Sequence, residues 1–457
     1  MSLMERLERQ KNAGQQQPAA EAGTVAQQHG AVRRPTVTAS PADEYTELKS
    51  RVHREVIDLL NRESGQKETG GEDYIRAAIG SVLDLHAADI PRAERNRITD
   101  ELYSDIVGLG PLDPLLAEPD ISEIMVNGPQ HVYVEIHGKL QETNVRFRDD
   151  EHVMSIINRI VASVGRRIDE SSPMVDARLE DGSRVNAIIP PCALSGPTLT
   201  IRKFSKKPLT MENLMRFGSV TPQMAAFLEA CVKARLNIVV SGGTGSGKTT
   251  LLGALSGYIP ETERIVTIED AAELQLCQAH VITLESKPAN VEGNGAVTIR
   301  DLVRNALRMR PDRIVVGEVR SGETLDMLQA MNTGHDGSLT TAHANSPRDL
   351  MSRLETMVLM SGLEIPVKAI REQIASALDV VVQQARLRDG SRKIVSISEV
   401  VGMEGDTITL QDIFVYRPSG FGPDGVKGAH VSTGIRPNFA HKMEDNGVTV
   451  RDEWFQT

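Results

Sequence analysis

The sequence predicts a mixed α/β protein with three ordered parts: a helical N-terminal module, an α+β domain and a larger α/β domain whose sheet is mostly parallel. Three observations predict this organisation. Before residue 108, apolar residues recur at the three- and four-residue spacing of amphipathic helices. Short alternating strands bounded by Asn-Gly and Asp-Gly turns follow. Beyond residue 220, apolar strands alternate with helices, which is typical of a parallel sheet.

The composition excludes several classes of protein. The 457 residues are 40% hydrophobic and 25% charged, as in an ordinary globular chain. The 51 basic and 62 acidic residues give a formal net charge of -11, and aromatic residues make up only 3% of the chain. Stable nucleic-acid binding is therefore not expected. Three widely spaced cysteines exclude a disulfide framework. No apolar run approaches the roughly 18 residues of a membrane-spanning helix.

The N-terminal half divides into three segments and a linker. Residues 1–43 are rich in Gln, Ala, Pro, Thr and Ser, which predicts a disordered extension. Residues 44–107 form the helical module, with Leu48, Val52 and Val56 on one helical face. Residues 108–204 form the α+β domain, and residues 205–220 are assigned to a basic linker. The strands predicted in the α+β domain cover residues 123–126, 131–136, 173–179, 184–189 and 198–204.

The C-terminal half is assigned to an α/β domain over residues 221–420. After residue 347, two apolar-faced helices precede a group of antiparallel strands, with an Asp-Gly turn at residues 389–390. Residues 421–457 show little pattern and are assigned to a C-terminal tail. The strands predicted in this domain cover residues 237–240, 264–268, 281–284, 314–316, 338–342, 380–387, 392–400 and 407–416.

The strongest chemical motif covers residues 242–250, Gly-Gly-Thr-Gly-Ser-Gly-Lys-Thr-Thr, which satisfies GxxxxGK[ST] between an apolar strand and a predicted helix. Glycines let backbone N–H groups surround an anion, and the helix N-terminus adds its positive dipole end. Lys248 can then reach the β- and γ-phosphates, and the Thr249 hydroxyl can bind Mg²⁺. The motif therefore predicts a phosphate-binding P-loop that binds a nucleoside triphosphate with Mg²⁺. The predicted nucleotide-binding residues are Gly243, Thr244, Gly245, Ser246, Gly247, Lys248, Thr249 and Thr250.

Two carboxylates follow apolar strands, as hydrolysis at a P-loop requires. Glu269 follows the strand predicted at 264–268, and Glu318 ends the strand predicted at 314–316. Each could orient or deprotonate water, or hold Mg²⁺, so the division of roles between them stays open. Gly317 stands where an aspartate usually holds the metal, which leaves Glu318 as the acid of its strand end. His343 ends a strand of small residues, from which it could sense the γ-phosphate. The predicted catalytic residues are Lys248, Glu269, Glu318 and His343, and the predicted metal ligands are Thr249 and Glu318.

These blocks, in this order, resemble the secretion and pilus motor ATPase superfamily of type II and type IV secretion machines. The four blocks are the P-loop, an aspartate box at 268–270, an acidic strand at 314–318 and a histidine box at 334–345. The resemblance covers roughly residues 45–415. Upstream segments are most similar to the CpaF-type branch, which is associated with tight-adherence (Flp-type) pili. These segments are 108–112, 124–128, 166–170, 175–179, 181–186 and 200–204.

The resemblance implies a RecA-like P-loop domain, a PAS-like α+β domain, and ATP with Mg²⁺ bound between them. It also implies a cytoplasmic homohexamer, attached peripherally to the inner membrane through platform proteins. Arg178, Arg184 and Arg202 are implied to reach the phosphates, where guanidinium groups can neutralise charge. Arg308, Arg310 and Arg320 are weaker candidates.

The function implied is an ATPase motor that couples hydrolysis to the assembly of a tight-adherence pilus, with pilus retraction left open. Three alternatives also remain open. They are type II protein secretion, conjugation-type transfer of DNA or protein, and a nucleotide-gated assembly module whose hydrolysis is incidental.

Overall fold

The computed structural model describes residues 45–63, 71–87, 89–136, 138–204, 208–289, 294–422 and 425–456. The extension predicted over residues 1–43 lies outside these ranges. Among the described residues, no helix combines the length and apolar character needed to cross a bilayer.

Three helices form the N-terminal module. They are α1 (Thr46–Glu63), α2 (Glu72–His86) and α3 (Arg92–Val107). Each helix contributes apolar residues three or four positions apart to a small shared core. Val52 and Val56 of α1 are fully buried against Ile79 of α2 and Ile98 of α3. The periodicity in the sequence therefore correctly predicts the buried faces.

The α+β domain contains one six-stranded antiparallel sheet, in the order β3-β2-β1-β6-β5-β4. Helix α4 (Asp113–Ala117) precedes the sheet, and α5 (Asp150–Ser163) packs on it through Ile156, Ile157 and Ile160. The unpredicted strand β3 is exposed along its whole length, so it shows no apolar alternation. The PAS-like description of this domain stays a prediction. The strands are β1 (Ile121–Asn127), β2 (Val132–Ile136), β3 (Lys139–Glu142), β4 (Met174–Arg178), β5 (Arg184–Ile188) and β6 (Thr198–Arg202).

A nine-stranded mixed sheet forms the centre of the C-terminal half, in the order β15-β14-β13-β12-β7-β11-β10-β8-β9. The six strands from β12 to β9 in this order are parallel, and β13, β14 and β15 extend the sheet in antiparallel fashion. The parallel strands therefore end at one common edge. The strands are β7 (Ile238–Gly242), β8 (Ile265–Glu269), β9 (Val281–Glu285), β10 (Arg313–Val319), β11 (Leu339–Ala342), β12 (Val380–Arg386), β13 (Arg392–Glu404), β14 (Thr407–Gly422) and β15 (Gly425–Ser432).

Helices cover both faces of this sheet. Val239 and Val240, adjacent in β7, belong to the two separate apolar cores on opposite faces. A strand covered on both sides shows a continuous apolar run, which is why β7 was predictable. The helices are α6 (Met211–Arg216), α7 (Pro222–Lys233), α8 (Lys248–Ser256), α9 (Ile299–Ala306), α10 (Glu323–Asn332), α11 (Pro347–Leu359), α12 (Val367–Ala377) and α13 (Ala440–Asp445).

The structure differs from the predicted linker over residues 205–220. Helix α6 begins inside it with a capping box, in which Thr210 and Asn213 exchange hydrogen bonds. Met211, Leu214 and Val220 are buried in the core of the large domain. The segment from Met211 onward is therefore part of that domain.

The structure also differs from the predicted C-terminal tail over residues 421–457. Strand β15 extends the sheet, and Trp454 and Phe455 are buried with their rings 6.1 and 5.8 Å from the ring of Phe227. The buried Glu399 carboxylate accepts a hydrogen bond from the Phe439 backbone N–H at 3.0 Å. Because these contacts join residues far apart in sequence, the local pattern gave no sign of them.

Candidate nucleotide site

The P-loop has the strand–loop–helix geometry that its motif predicts. Strand β7 is buried throughout, and α8 begins at Lys248. Gly245 and Gly247 have φ angles of 69° and 95°, a left-handed conformation that favours glycine. These turns let the loop curl ahead of the positive end of α8, where backbone N–H groups bind anions.

A cavity of about 800 Å³ lies between the α+β domain and the P-loop domain. The predicted site residues that line it are Thr244, Gly245, Gly247, Lys248, Thr249, Thr250, Arg184, Arg202, Glu269, Glu318 and His343. Gly243, Ser246 and Arg178 are not in its lining. Ser246, within the loop, is nearly fully buried. Residues distant in sequence thus meet at the carboxyl edge of the parallel strands.

Lys248 and Glu318 face each other in this cavity. The Lys248 Nζ lies 3.8 Å from Glu318 Oε1 and 3.3 Å from the Gly243 carbonyl oxygen, to which it donates a hydrogen bond. Burial lowers the pKa of the Lys248 ammonium, and the Glu318 carboxylate opposes that effect. Arg320 donates from Nε and Nη2 to Glu318 Oε2 at 2.8 and 2.5 Å. Two cations therefore surround Glu318.

Glu269 lies in a different environment at the end of β8. Its side chain is buried and accepts backbone hydrogen bonds from Glu273 at 3.1 Å and Leu274 at 3.2 Å. Burial raises the pKa of Glu269 to about 7, although these hydrogen bonds oppose the rise. The carboxyl group can therefore hold or release a proton near neutral pH.

Gly317 provides the space that Glu269 occupies. A Cβ placed on Gly317 would lie 2.7 Å from the Glu269 Cγ, closer than real Cβ contacts come. The glycine that stands where an aspartate was expected thus allows the neighbouring acid to pack against β10.

His343 lies just beyond β11 and lines the cavity. Burial and then the nearby Lys248 charge lower the pKa of its imidazole from the ordinary 6.5. The ring is therefore mostly neutral at pH 7, so it can donate or accept a hydrogen bond without adding charge.

The three predicted arginines form one row across the α+β sheet. Arg178 of β4 pairs in register with Arg184 of β5, which pairs in register with Arg202 of β6. Residues directly opposite each other on neighbouring strands share a face of the sheet. We call these three residues the arginine row. Arg178 forms an ion pair with Glu285 at 2.9 Å outside the cavity, whereas Arg184 and Arg202 line it.

Of the weaker arginine candidates, Arg320 lines the cavity, and Arg308 and Arg310 do not. Arg320 is the arginine that holds Glu318.

Residues 105–421 match the family described as Type II/IV secretion system protein. The chain belongs to this family. It is 40% identical over 310 residues to a putative conjugal transfer protein of Mycobacterium tuberculosis, covering 66% of this chain and 88% of that protein. It is 35% identical over 316 residues to the type IV secretion system protein VirB11 of Brucella abortus, covering 63% of this chain and 87% of the relative.

One solved structure of similar sequence is the VirB11 ATPase of the Brucella suis type IV secretion system in complex with sulphate. It is 34% identical, and the match covers 65% of this chain and 97% of that chain with a TM-score of 0.36.

The structure of this secretion-family chain adds residues that sequence reasoning missed. Arg353 of α11 lines the nucleotide cavity and a second cavity of about 560 Å³ beside it. Arg392 of β13 donates from Nε to the Gly245 carbonyl oxygen at 2.9 Å and so holds the P-loop from the side. Glu273 contacts Arg184 and Arg202 of the arginine row. Arg353 comes ten residues after His343, and that short spacing could have predicted that it lies near the site. Arg392 lies about 150 residues from the loop that it contacts, so nothing in the local sequence indicated this contact.

The residues present fit a magnesium ion that is held mainly by a nucleotide. Hydroxyl and carboxylate oxygens suit Mg²⁺, and Thr249 and Glu318 present both in one cavity. Across the described part of the chain, no group of three or more His, Cys, Asp or Glu side chains could hold a metal ion alone. Mg²⁺ usually binds through one or two protein groups together with substrate phosphates, so this donor set is compatible with it.

Proposed function

We propose that this chain is an ATP hydrolase of a type II/IV secretion or pilus machine. The observation that carries the proposal is the pair Lys248 and Glu318, 3.8 Å apart in a cavity between two domains. A lysine that can bind phosphate and a carboxylate that can activate water are the two groups that hydrolysis at a P-loop requires. Family membership supports this assignment.

The chemistry follows from where each group lies. The P-loop N–H groups and Lys248 bind the β- and γ-phosphates of ATP. Glu318 orients a water molecule and accepts its proton. The water oxygen bonds to the γ-phosphorus while the bond from the γ-phosphorus to the β-phosphate oxygen breaks, which yields ADP and phosphate. Mg²⁺ held by Thr249 and the phosphate oxygens supplies charge neutralisation when bound. Arg184 and Arg202 approach the same cavity from the other domain and can neutralise the terminal phosphate.

The finer proposal is a cytoplasmic homohexamer that assembles a tight-adherence pilus and contacts the inner membrane through platform proteins. It rests on the upstream segments that are similar to the CpaF-type branch. A site shared by two domains also suits a motor, because binding or losing a phosphate changes the charge that holds the domains together. The relative named VirB11 belongs to a type IV secretion system and supports the coarser assignment.

One specific observation favours a second candidate, conjugation-type transfer. The relative that is 40% identical is named a putative conjugal transfer protein. The acidic balance and the low aromatic content of this chain argue against direct DNA translocation. DNA that binds in a salt-sensitive manner and stimulates hydrolysis would favour this candidate over the pilus motor.

The deciding experiment measures ATP turnover by the full chain and its Lys248→Ala variant, with Lys233→Ala as a matched control. Lys233 is a half-exposed lysine of α7 that pairs with Glu229. Lys248→Ala should abolish ATP binding and turnover, and Lys233→Ala should retain both. Wild-type turnover by Lys248→Ala would contradict the proposal. If the full chain assembles when ATP is added, as measured by light scattering, but does not hydrolyse ATP, that result would instead support the nucleotide-gated assembly module.

A further inference from the structure

One carboxylate of the P-loop domain, that of Glu273, lies next to both members of the arginine row that line the cavity. Glu273 follows β8, and its Oε1 accepts a hydrogen bond from Arg184 Nη1 at 2.9 Å. The same oxygen lies 3.9 Å from Arg202 Nη1. Glu273 also lines the nucleotide cavity. The two arginines expected to approach phosphate are therefore both next to a carboxylate of the other domain.

The arginines need such a partner because of their register. Arg184 and Arg202 stand directly opposite each other on β5 and β6, and like charges in that position repel. The remaining acid within 4 Å of Arg202 is Glu123, at 3.8 Å, among the residues that the structure describes. Glu273 thus offsets the repulsion at the point where the sheet faces the cavity.

Glu273 is also tied to the catalytic centre through its backbone. Its N–H donates to Glu269 Oε1 at 3.1 Å, within a turn that includes Leu274. The Glu273 side chain therefore contacts arginines of the α+β domain, and its backbone N–H binds the buried Glu269 carboxyl group.

We propose that Glu273 is a positioning residue that binds Arg184 and Arg202 when no triphosphate is bound. When a triphosphate binds, the two arginines leave Glu273 and bind the terminal phosphate. This inference rests on the proposed function. A γ-phosphate carries more charge and more acceptor oxygens than one carboxylate, so it can compete for both guanidinium groups. ADP lacks the γ-phosphate, so the arginines leave Glu273 for ATP and not for ADP, and the site distinguishes the two nucleotides.

The test is equilibrium binding to the full chain, measured by titration calorimetry with Mg²⁺ and either a non-hydrolysable ATP analogue or ADP. Glu273→Gln keeps the size of the side chain and removes its charge. It should bind the ATP analogue about two- to fivefold more tightly, the range expected for a partly exposed ion pair. Its affinity for ADP should stay unchanged.

Two further variants separate this role from a structural one. Glu285→Gln is the matched control, because Glu285 pairs with Arg178, the member of the arginine row outside the cavity. Its affinity for the ATP analogue should equal that of the wild type. In the double variant with Arg184→Ala, the gain from Glu273→Gln should disappear, because the guanidinium group that it frees is gone.

The outcomes separate this inference from the proposed function. If the wild type binds neither nucleotide, the proposed function fails, and the exchange at Glu273 fails with it. If the wild type binds both nucleotides and Glu273→Gln binds the analogue no more tightly, or gains equally for ADP, only the role of Glu273 is overturned. A tighter analogue with unchanged ADP affinity supports it.

Discussion

The ends of strands β8 and β10 carry the same kind of residue in two different environments. Glu318 lies between two cations, 3.8 Å from the Lys248 Nζ and hydrogen-bonded to Arg320. Glu269 is buried, accepts hydrogen bonds from the backbone N–H groups of Glu273 and Leu274, and has a pKa raised to about 7. Burial favours the neutral form of a carboxyl group, which is why the pKa of Glu269 is raised.

We propose that this difference gives the two acids separate roles, a division that the sequence left open. A carboxylate 3.8 Å from the Lys248 Nζ can orient water and accept its proton. A buried carboxyl group with a pKa near neutral is better placed to store a proton or to hold the turn that carries Glu273.

Removing the charge of Glu318 should slow hydrolysis most. Glu318→Gln should lower kcat by about 100-fold or more, the range for a lost general base, while ATP still binds. Glu269→Gln should lower kcat by no more than about tenfold. Steady-state phosphate release measures both, and Glu229→Gln on α7 is the control. Equal losses in the two variants would show that the acids do not differ in role.

The raised pKa of Glu269 should make stability depend on pH. Between about pH 4.5 and 7, the folded protein keeps a proton on Glu269 that the unfolded chain has lost, so stability falls as pH rises through this window. Each unit of pKa difference corresponds to about 1.4 kcal/mol, so the effect on the free energy of unfolding is about 3–4 kcal/mol. Glu269→Gln should not show this pH dependence, because the variant has no carboxyl group at this position. The difference between the thermal midpoints of the two proteins, compared at pH 5 and pH 8, should therefore change, and parallel pH curves would contradict the assignment.

A side chain at position 317 should disturb Glu269 alone. Gly317→Ala places a methyl group against the Glu269 Cγ and should destabilise the fold by about 1–3 kcal/mol, as overpacking does. The destabilisation caused by Gly317→Ala should be smaller in a Glu269→Ala background, where the atoms that the new methyl group would contact are missing. Gly80→Ala, at a helical site where no atom beyond the local helix backbone lies within 4 Å of the new Cβ, should not destabilise the fold. Denaturation midpoints of the wild type, the three single variants and the double variant measure these costs, and an unchanged cost in the double variant would exclude the contact.

Loss of Arg320 should have the smallest effect. Its side chain is 60% exposed, so its contacts with Glu318 are weakened by solvent. Arg320→Ala should lower kcat about two- to fivefold with KM unchanged, and Arg320→Lys should restore part of the loss. Arg348→Ala, an exposed arginine of α11, is the control. A change in KM alone would show that Arg320 binds nucleotide and does not orient Glu318.

The sequence predicted the elements whose pattern is local. Strand β7 is buried on both faces and appeared as an apolar run, and α1 has its apolar residues at helical spacing. Strand β3 is exposed and left no pattern, and β15 and Trp454 are held by contacts with distant residues. The P-loop and both strand-end acids were found because each chemical group sits inside a short motif. Arg392 and Glu273 were missed because their partners lie far away in the chain.

The sequence by itself determined which groups this protein can use: a phosphate-binding loop, two acids after apolar strands, a histidine and three arginines. Only the tertiary structure decided how each group behaves. Strand register made Arg178, Arg184 and Arg202 neighbours and left Arg178 outside the cavity. Packing buried Glu269 against Gly317, while Glu318 met Lys248 and Arg320. The protonation and reach of a side chain depend on neighbours that folding brings together, and local sequence does not specify those neighbours.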